Sequence, residues 1–422
     1  MKNLKLLFSK VLLVMLLPTA LTGQVTWVPQ VSGTSVKLHA VQFLDANNGY
    51  ACGDNGTVIK TTDGGTTWTP ANINTTIPVC DIYFVSTSEG WAAVGDENNS
   101  SSSGQIWHTT NGGTSWSQQT PSSTEARFGV SFASSAVGWQ VGSKNGPINI
   151  DATTNGGATA WMNQSDSNIF GWLYKIDALS TTTAFSIGGA FFPSVTGFII
   201  KTTNGGSSWS QLNTGTIPFM NGIDMVNTSN GFVVGDAGFI MTTVNGGTNW
   251  TTQTSGTTDT LQDVSFVSTS VGLTCGFTGT IRRTINGGNN WTGETSGTTQ
   301  NLNGIYALDT TTAWAVGDSG KVIKRTLAIT GIQEQEKSYN NVYVFPNPFS
   351  DHTTISFENP LNNKSSSLII CDMTGKIVKT IAGISGSQIV LPKEFLAPGI
   401  YNFSLQSDTL KTIIGTGKLI IH

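Results

Sequence analysis

The sequence predicts an all-β protein: a seven-bladed β-propeller closed by an N-terminal strand, followed by a small Ig-like β-sandwich. Three observations predict it. A Thr-x-Asp/Asn-Gly-Gly-x-x-Trp unit recurs six times, with its tryptophans 41 to 48 residues apart. That spacing is the length of a four-stranded blade, about 40–45 residues in familiar repeats. The two ends of the array are incomplete in complementary ways, and the region beyond residue 340 carries short strands of a different pattern.

The chain opens with Lys2, Lys5 and Lys10, then an apolar stretch from Val11 to Leu17, then Ala20, Thr22 and Gly23. Basic start, short apolar core and small residues are the order of a secretory signal peptide, expected over 1–23. The core is too short for a membrane span of about 20 residues. No cysteine follows it, so lipid modification is not expected, and no later stretch reaches the length of a span. Export of a soluble mature chain is the expectation.

The propeller is expected over 24–327. In the first unit Leu38 to Phe43 alternates apolar residues and reads as a strand; Gly49 to Gly53 is a second, Gly56 to Thr61 a third, and the Trp68 segment a fourth. First strands beginning at Leu38, Val79, Arg127, Leu173, Met220, Leu261 and Leu302 give seven blades. Trp27 to Thr34 copies Trp250 to Thr257, so the mature chain starts with an orphan fourth strand. The unit from Leu302 to Thr326 lacks its own fourth strand. Joining the two closes the ring and removes the unpaired edge.

The repeated turn has a local job. A short Asp or Asn side chain bonds nearby backbone N–H groups, the glycines take the turn conformations, and Trp buries a large face. The pairs are Asp63 with Trp68, Asn111 with Trp116, Asn155 with Trp161, Asn204 with Trp209, Asn245 with Trp250, and Asn286 with Trp291. Asn cannot act as a general acid or base, so five of six copies exclude a catalytic reading. The turn resembles the Asp-box, or BNR repeat. With the Gly-Asp step after the second strand, the unit over about 25–326 is similar to the photosystem II stability and assembly factor family. That resemblance implies the propeller fold and a protein-binding tendency, and nothing photosynthetic is carried over.

Residues 328–340 read as a polar linker, with Glu334-Gln335-Glu336-Lys337 at its centre. Over 341–422 come Phe345-Pro346-Asn347-Pro348, the turn Asp372-Met373-Thr374-Gly375-Lys376, the step Pro398-Gly399-Ile400-Tyr401, and a terminal Lys418-Leu419-Ile420-Ile421. Short strands with turn residues between them suit an Ig-like sandwich. In this order the motifs resemble the type A sorting domain of the Bacteroidetes type nine secretion system. The resemblance implies recognition by that secretion machinery, passage through the periplasm and across the outer membrane, and release or attachment at the cell surface.

The net charge is -4, only 11% of residues are charged, and no basic stripe is evident, so a nucleic-acid partner is not expected. The four cysteines, Cys52, Cys80, Cys275 and Cys371, show neither a disulfide framework nor metal spacing. They read as packed thiols, with a Cys52–Cys80 bridge left open. No cofactor or metal is expected, and the propeller is expected to be monomeric. A sialidase needs three converging arginines, whereas the propeller has Arg127, Arg282, Arg283 and Arg325, of which two are adjacent on one strand and must point to opposite faces. Asp54, Asp96, Asp236 and Asp318 recur as turn residues, and His39 and His108 stand alone. The sequence therefore points to a non-catalytic binding module for an extracellular protein or glycan. A secreted glycosidase-like enzyme and a structural or adhesive surface protein are the alternatives.

A binding site should break the symmetry of the ring. Unit four does so most, with Trp172 and Tyr174 at its first strand and Phe191 and Phe192 where other units have a compact turn. Phe128 holds the matching place in unit three. These five aromatics are the candidate binding residues, since exposed aromatic clusters often mark interaction sites. The competing reading is that they fill a wider gap between blades. A recurring basic position before the turn (Lys60, His108, Lys201, Arg283, Lys324) reads either as a ring for an acidic partner or as long stems lying over the blades.

Overall fold

A computed structural model of the protein describes residues 24–96, 104–119, 125–142, 148–190, 196–212, 214–215, 217–328, 342–357, 366–373, 375–393, 396–407 and 413–422. Residues 1–23, expected as a signal peptide, and 329–340 of the expected linker lie outside these residues. The chain divides into two compact units, Met1–Ile329 and Thr330–His422.

The first unit contains seven four-stranded antiparallel sheets, the blades of the propeller. Six are sequential meanders, beginning with Leu38–Phe43, Gly49–Gly53, Val58–Thr61 and Thr69–Pro70. The seventh is composite. Its first three strands are Leu302–Ala307, Ala313–Gly317 and Val322–Ala328, and its fourth is the N-terminal strand Gln24–Gln30. Trp27 pairs with Arg325 in that antiparallel register. The closure read from the two incomplete ends is thus the observed one.

Aromatic stacking sets the blade interfaces. The second-strand aromatic of one blade lies flat on the phenylalanine ending the first strand of the next: Tyr50 on Phe84, Trp91 on Phe132, Phe232 on Phe266 and Trp314 on Phe43, with centroids 3.4–3.7 Å apart. The motif tryptophan then meets the same phenylalanine edge-on, as Trp68 does Phe43 at 5.9 Å. A Cβ on Gly49 would sit 2.5 Å from the Phe43 ring, which is why glycine starts that second strand. Leaving any of these four interfaces unpacked would expose two aromatic faces, so the blades are stable only as a stack.

The Asp-box is built as a turn. Asp63 Oδ1 accepts the Thr67 N–H at 2.9 Å and the Thr61 hydroxyl at 2.8 Å, while Thr61 Oγ1 accepts the Gly65 N–H. Asn111, Asn204, Asn245 and Asn286 make the same Oδ1 bond to the residue four positions on, at 2.9–3.0 Å, and Asn155 a longer one at 3.5 Å. Trp161 and Trp209 are buried, while Trp116 and Trp250 are half-buried.

Three of the recurring basic residues are half-buried lysines whose ammonium groups bond the next blade. Lys60 Nζ donates to Gly112 O, Lys201 Nζ to Gly246 O and Lys324 Nζ to Gly64 O. Each ammonium therefore clamps the glycine turn of the following blade, and each sits over an aromatic ring of its own blade. His108 stacks on Trp91 at 4.7 Å instead. None of the four cysteines is in a disulfide: Cys52 and Cys275 are buried, and Cys80 and Cys371 are half-buried.

The second unit has a three-stranded sheet of Val342–Phe345, His352–Phe357 and Gln388–Pro392, and a four-stranded sheet of Ile377–Ile384, Ser366–Cys371, Gly399–Ser407 and Ile413–Ile421. Ile355 and Leu391 from one sheet pack with Leu368, Phe403 and Leu419 from the other. The motifs of this unit serve its closure. Asn347 donates to Lys418 O and accepts from Ile420 N–H, tying the Pro-Asn-Pro segment to the last strand. Tyr401 donates its hydroxyl to Ala397 O, bracing the Pro-Gly step.

Candidate functional site

Every first strand of the propeller carries a register shift near its start, between residues 38 and 40, 79 and 81, 127 and 129, 173 and 175, 220 and 222, 261 and 263, and 302 and 304. A bulge leaves its extra residue outside the ladder and re-aims its side chain. The seven bulge residues are His39, Cys80, Phe128, Tyr174, Asn221, Gln262 and Asn303, one from each blade. All seven line a single cavity of about 400 Å³ at one end of the channel. Small-molecule sites run from about 300 to 1,000 Å³. Lys37, Asp54, Asp96, Lys175, Phe219 and Phe277 are also part of the wall.

The Gly-Asp turns orient the bulge residues. Asp54 Oδ1 bonds His39 Nε2 at 2.7 Å, Asp236 Oδ1 accepts from Asn221 Nδ2 at 3.2 Å, and Asp318 Oδ1 accepts from Asn303 Nδ2 at 3.1 Å. The hydrogen bond from His39 holds the Asp54 carboxyl below its usual range, and the nearby Lys37 charge adds to this. The two asparagines also donate across the blade boundary, Asn221 to Leu261 O and Asn303 to Leu38 O. Blade six departs from the pattern. Its turn is Gly276-Phe277-Thr278-Gly279, and Phe277, 40% exposed, occupies the place of the acid.

Of the five aromatics read from the sequence, the structure brings three together. Phe128 stacks on Tyr174 at 5.2 Å, and Trp172 lies 6.4 Å from Phe128 and 6.3 Å from Tyr174. Phe219 joins them edge-on to Tyr174 at 5.0 Å. Phe128 and Tyr174 line the cavity, whereas Trp172 backs the cluster. Phe128 is only 4% exposed, so part of this cluster does fill a gap between blades. Phe191 and Phe192 lie outside the described residues. Phe219 and Phe277 were missed by sequence reasoning. Phe277 could have been found as an aromatic exception in the Gly-Asp series, from which blades three and four also depart.

One residue past the bulges, the ring reads Ala40, Asp81, Gly129, Lys175, Gly222, Asp263 and Gly304. Glycines alternate with charged residues, because inner strands approach closely there: a Cβ on Gly222 would lie 2.8 Å from the Asp263 Cα. The long side chains of blades two, four and six therefore share the channel. Lys175 Nζ meets Asp81 Oδ1 at 3.1 Å, linking blades two and four. Burial works against the Lys175 ammonium, but the Asp81 and Asp263 carboxylates outweigh it and hold it above the usual lysine range. Asp81 and Asp263 also accept the Val130 and Ile305 N–H groups of the next blade.

Two residues further along their strands, Asp177 accepts from Met225 N–H and Asp224 from Phe266 N–H, again across blade boundaries. Burial pushes both carboxyls upward, and the charge of Asp177 raises Asp224 further. A raised carboxyl binds its proton more tightly folded than unfolded. Its unfavourable contribution is absent below the unfolded value of about 3.9 and grows as pH rises through the folded value. Asp224→Asn keeps an acceptor for Phe266 N–H without the charge. Its melting temperature should match the parent at pH 4 and exceed it by a few degrees at pH 8, read by thermal unfolding at both pH values. A gain that shrinks with rising pH would contradict the burial of that charge.

The four propeller arginines are spread through the ring. Arg127 pairs with Asp151 at 2.9 Å, both fully buried in blade three. Arg325 pairs with Glu294 at 2.8 Å, Arg283 lies 3.8 Å from the same carboxylate, and Arg282 donates to Gly256 O. Among the described residues no group of three or more His, Cys, Asp or Glu side chains could hold a metal ion. No helix among the described residues is long and apolar enough to cross a membrane.

Residues 343–422 match the family described as secretion system C-terminal sorting domain, and 20–120 match photosynthesis system II assembly factor YCF48. The chain is a propeller followed by a tail that matches a secretion sorting domain. No curated protein matches its sequence. A solved YCF48 bound to D1 peptide shares 18% identity at a TM-score of 0.57, covering 71% of this chain and 96% of that one. PorZ, a surface component of the type-IX secretion system of Porphyromonas gingivalis, shares 11% at 0.50, covering 90% and 58%. The GH74 xyloglucanase of Xanthomonas campestris shares 11% at 0.58, covering 79% and 59%. At these identities the likeness is one of fold. The match to the sorting-domain family implies export to the cell surface or the extracellular space.

Proposed function

We propose that this protein is a non-catalytic binding propeller, displayed outside the outer membrane, that takes its ligand in the axial cavity. Residues 24–327 form the binding unit, 328–340 the linker, and 341–422 the export unit recognised by the secretion machinery. The observation that carries the reading is the ring of bulge residues. Six of the seven are polar or aromatic groups of the kinds that orient ligands, and all converge on one cavity. Fixed hydrogen bonds hold three of them, so little side-chain freedom is lost on binding.

A hydrolytic alternative draws on the raised Asp177 and Asp224 carboxyls, since glycosidases use a carboxyl pair with one proton held. Their bonds to Met225 and Phe266 N–H give both a structural task and favour the binding reading. The deciding experiment exposes immobilised full-length protein and a Tyr174→Ala variant to surface extract of the producing cells. The parent should retain a component that the variant releases, unaltered in mass. Conversion of that component, abolished by Asp224→Asn, would establish the enzyme instead.

A further inference from the structure

The chemistry of the cavity narrows its ligand class, and we infer that it receives the terminal sugar of a neutral glycan. The inference rests on the binding function proposed above. Its first support is charge balance. Lys175 is matched by Asp81 at 3.1 Å, Asp54 is matched by His39 at 2.7 Å, and the other two charged residues of the wall, Lys37 and Asp96, are of opposite sign. A strongly acidic or basic ligand would have to disturb these pairs, which a neutral one leaves intact.

The second support is the polarity of the groups on offer. Asn221 donates through Nδ2 to Asp236 and Leu261 O, and Asn303 through Nδ2 to Asp318 and Leu38 O. With both N–H bonds of each amide used, each asparagine presents its Oδ1, an acceptor. Asp54 adds carboxylate acceptors at the same wall. The complementary ligand is rich in neutral donors, as hydroxyl groups are. The third support is aromatic surface in the same cavity, where Tyr174 of blade four and Phe277 of blade six line the wall on either side of Asn221 of blade five. A pyranose has an apolar C–H face and a rim of hydroxyls, so one ring can satisfy both walls at once. The cavity of about 400 Å³ has room for a terminal sugar and part of the next, with the remaining chain leading out through the open end. Phe277 matters most here, because in blades one, five and seven its place holds an acid that bonds the blade's own bulge residue.

The test uses the full chain, saturation-transfer NMR and calorimetry. The probes are methyl glycosides of glucose, galactose, mannose and N-acetylglucosamine, with their trisaccharides. At least one series should bind, with C–H protons of one sugar face saturated and an affinity unchanged between low and high salt. Phe277→Ala should weaken it at least tenfold while the melting temperature stays within a few degrees. Phe277→Tyr should restore it, which a merely structural role would not require. Absence of binding across the panel overturns the saccharide assignment. Salt-sensitive binding of a lysine-rich peptide, lost in Phe277→Ala, also overturns it while leaving the binding function standing. Loss of surface-extract capture in the parent would fault the binding function itself.

Discussion

Replacing Glu294 with alanine should unfasten the ring. Glu294 ends the fourth strand of blade six, yet its partners belong to the closure: Trp27 Nε1 donates to it at 2.9 Å, and Arg325 donates through Nε at 2.9 Å and Nη2 at 2.8 Å. Trp27 and Arg325 face each other across the seam where the N-terminal strand meets its blade. Arg325 is 1% exposed, with its remaining donor on Thr310 O. Removing the carboxylate leaves a buried guanidinium without its counter-charge, a change that costs about 3–5 kcal/mol. It also frees the N-terminal strand to peel away, exposing the edge of Val322–Ala328. Thermal unfolding should show a large fall in melting temperature, and limited proteolysis should cut first near residues 24–30. An unchanged melting temperature would mean that aromatic stacking alone holds the seam. The pH dependence has a definite sign. Burial would raise the Glu294 carboxyl, but Arg325 and Trp27 outweigh it and hold it low. The latch therefore contributes fully above the unfolded value of about 4.3 and is lost as pH falls through the folded value.

How far the sequence reaches depends on whether a feature is periodic. Trp68 and its repeats mark the phase of every blade, so strands, blade number and closure could be read directly. Trp27 was recognisable because its neighbourhood copies Trp250. The Asp-box was legible for a further reason: five asparagines at the acid position rule out a shared catalytic task. The cavity was not legible in the same way. Its lining residues stand on bulges, and a bulge is a slip of backbone register that alternation in the sequence hides. Asn221, Gln262 and Asn303 share a carboxamide, but His39 and Cys80 do not, so the types alone do not announce one ring of seven. Lys175 and Asp81 are 94 positions apart and meet only because closure brings blades two and four around one axis. Phe128 and Tyr174 were visible as departures from symmetry, and the structure gives them a double part as gap filler and cavity wall. Arg127 stands where other blades start with an apolar residue. Its partner Asp151 explains the exchange, but the pairing follows from blade geometry rather than spacing.

Deleting Asn341 to His422 should leave the propeller folded and stop its export. The sandwich has a core made from its own residues: Ile355, Leu368, Leu391, Phe403 and Leu419 pack together within it. The propeller closes through Gln24–Gln30 and Val322–Ala328, both before the deleted segment. The truncated chain should therefore melt cooperatively, with a transition close to that of the propeller in the full chain. In the producing cell it should collect in the periplasm, while the full chain reaches the surface or medium. Fractionation followed by immunoblotting reads the difference, which should approach all or none. A smaller cut makes the point more sharply. Removing only Ile413–His422 takes away Leu419 and Ile421 from the core and the strand to which Asn347 is tied. The sandwich then loses one edge of its four-stranded sheet and cannot bury what remains. If the fold of the tail is what the secretion machinery recognises, this short deletion should block export as fully as the long one. If a linear motif suffices, the short deletion should export normally despite an unfolded tail. Normal export of the chain lacking all of 341–422 would remove the tail from the pathway altogether.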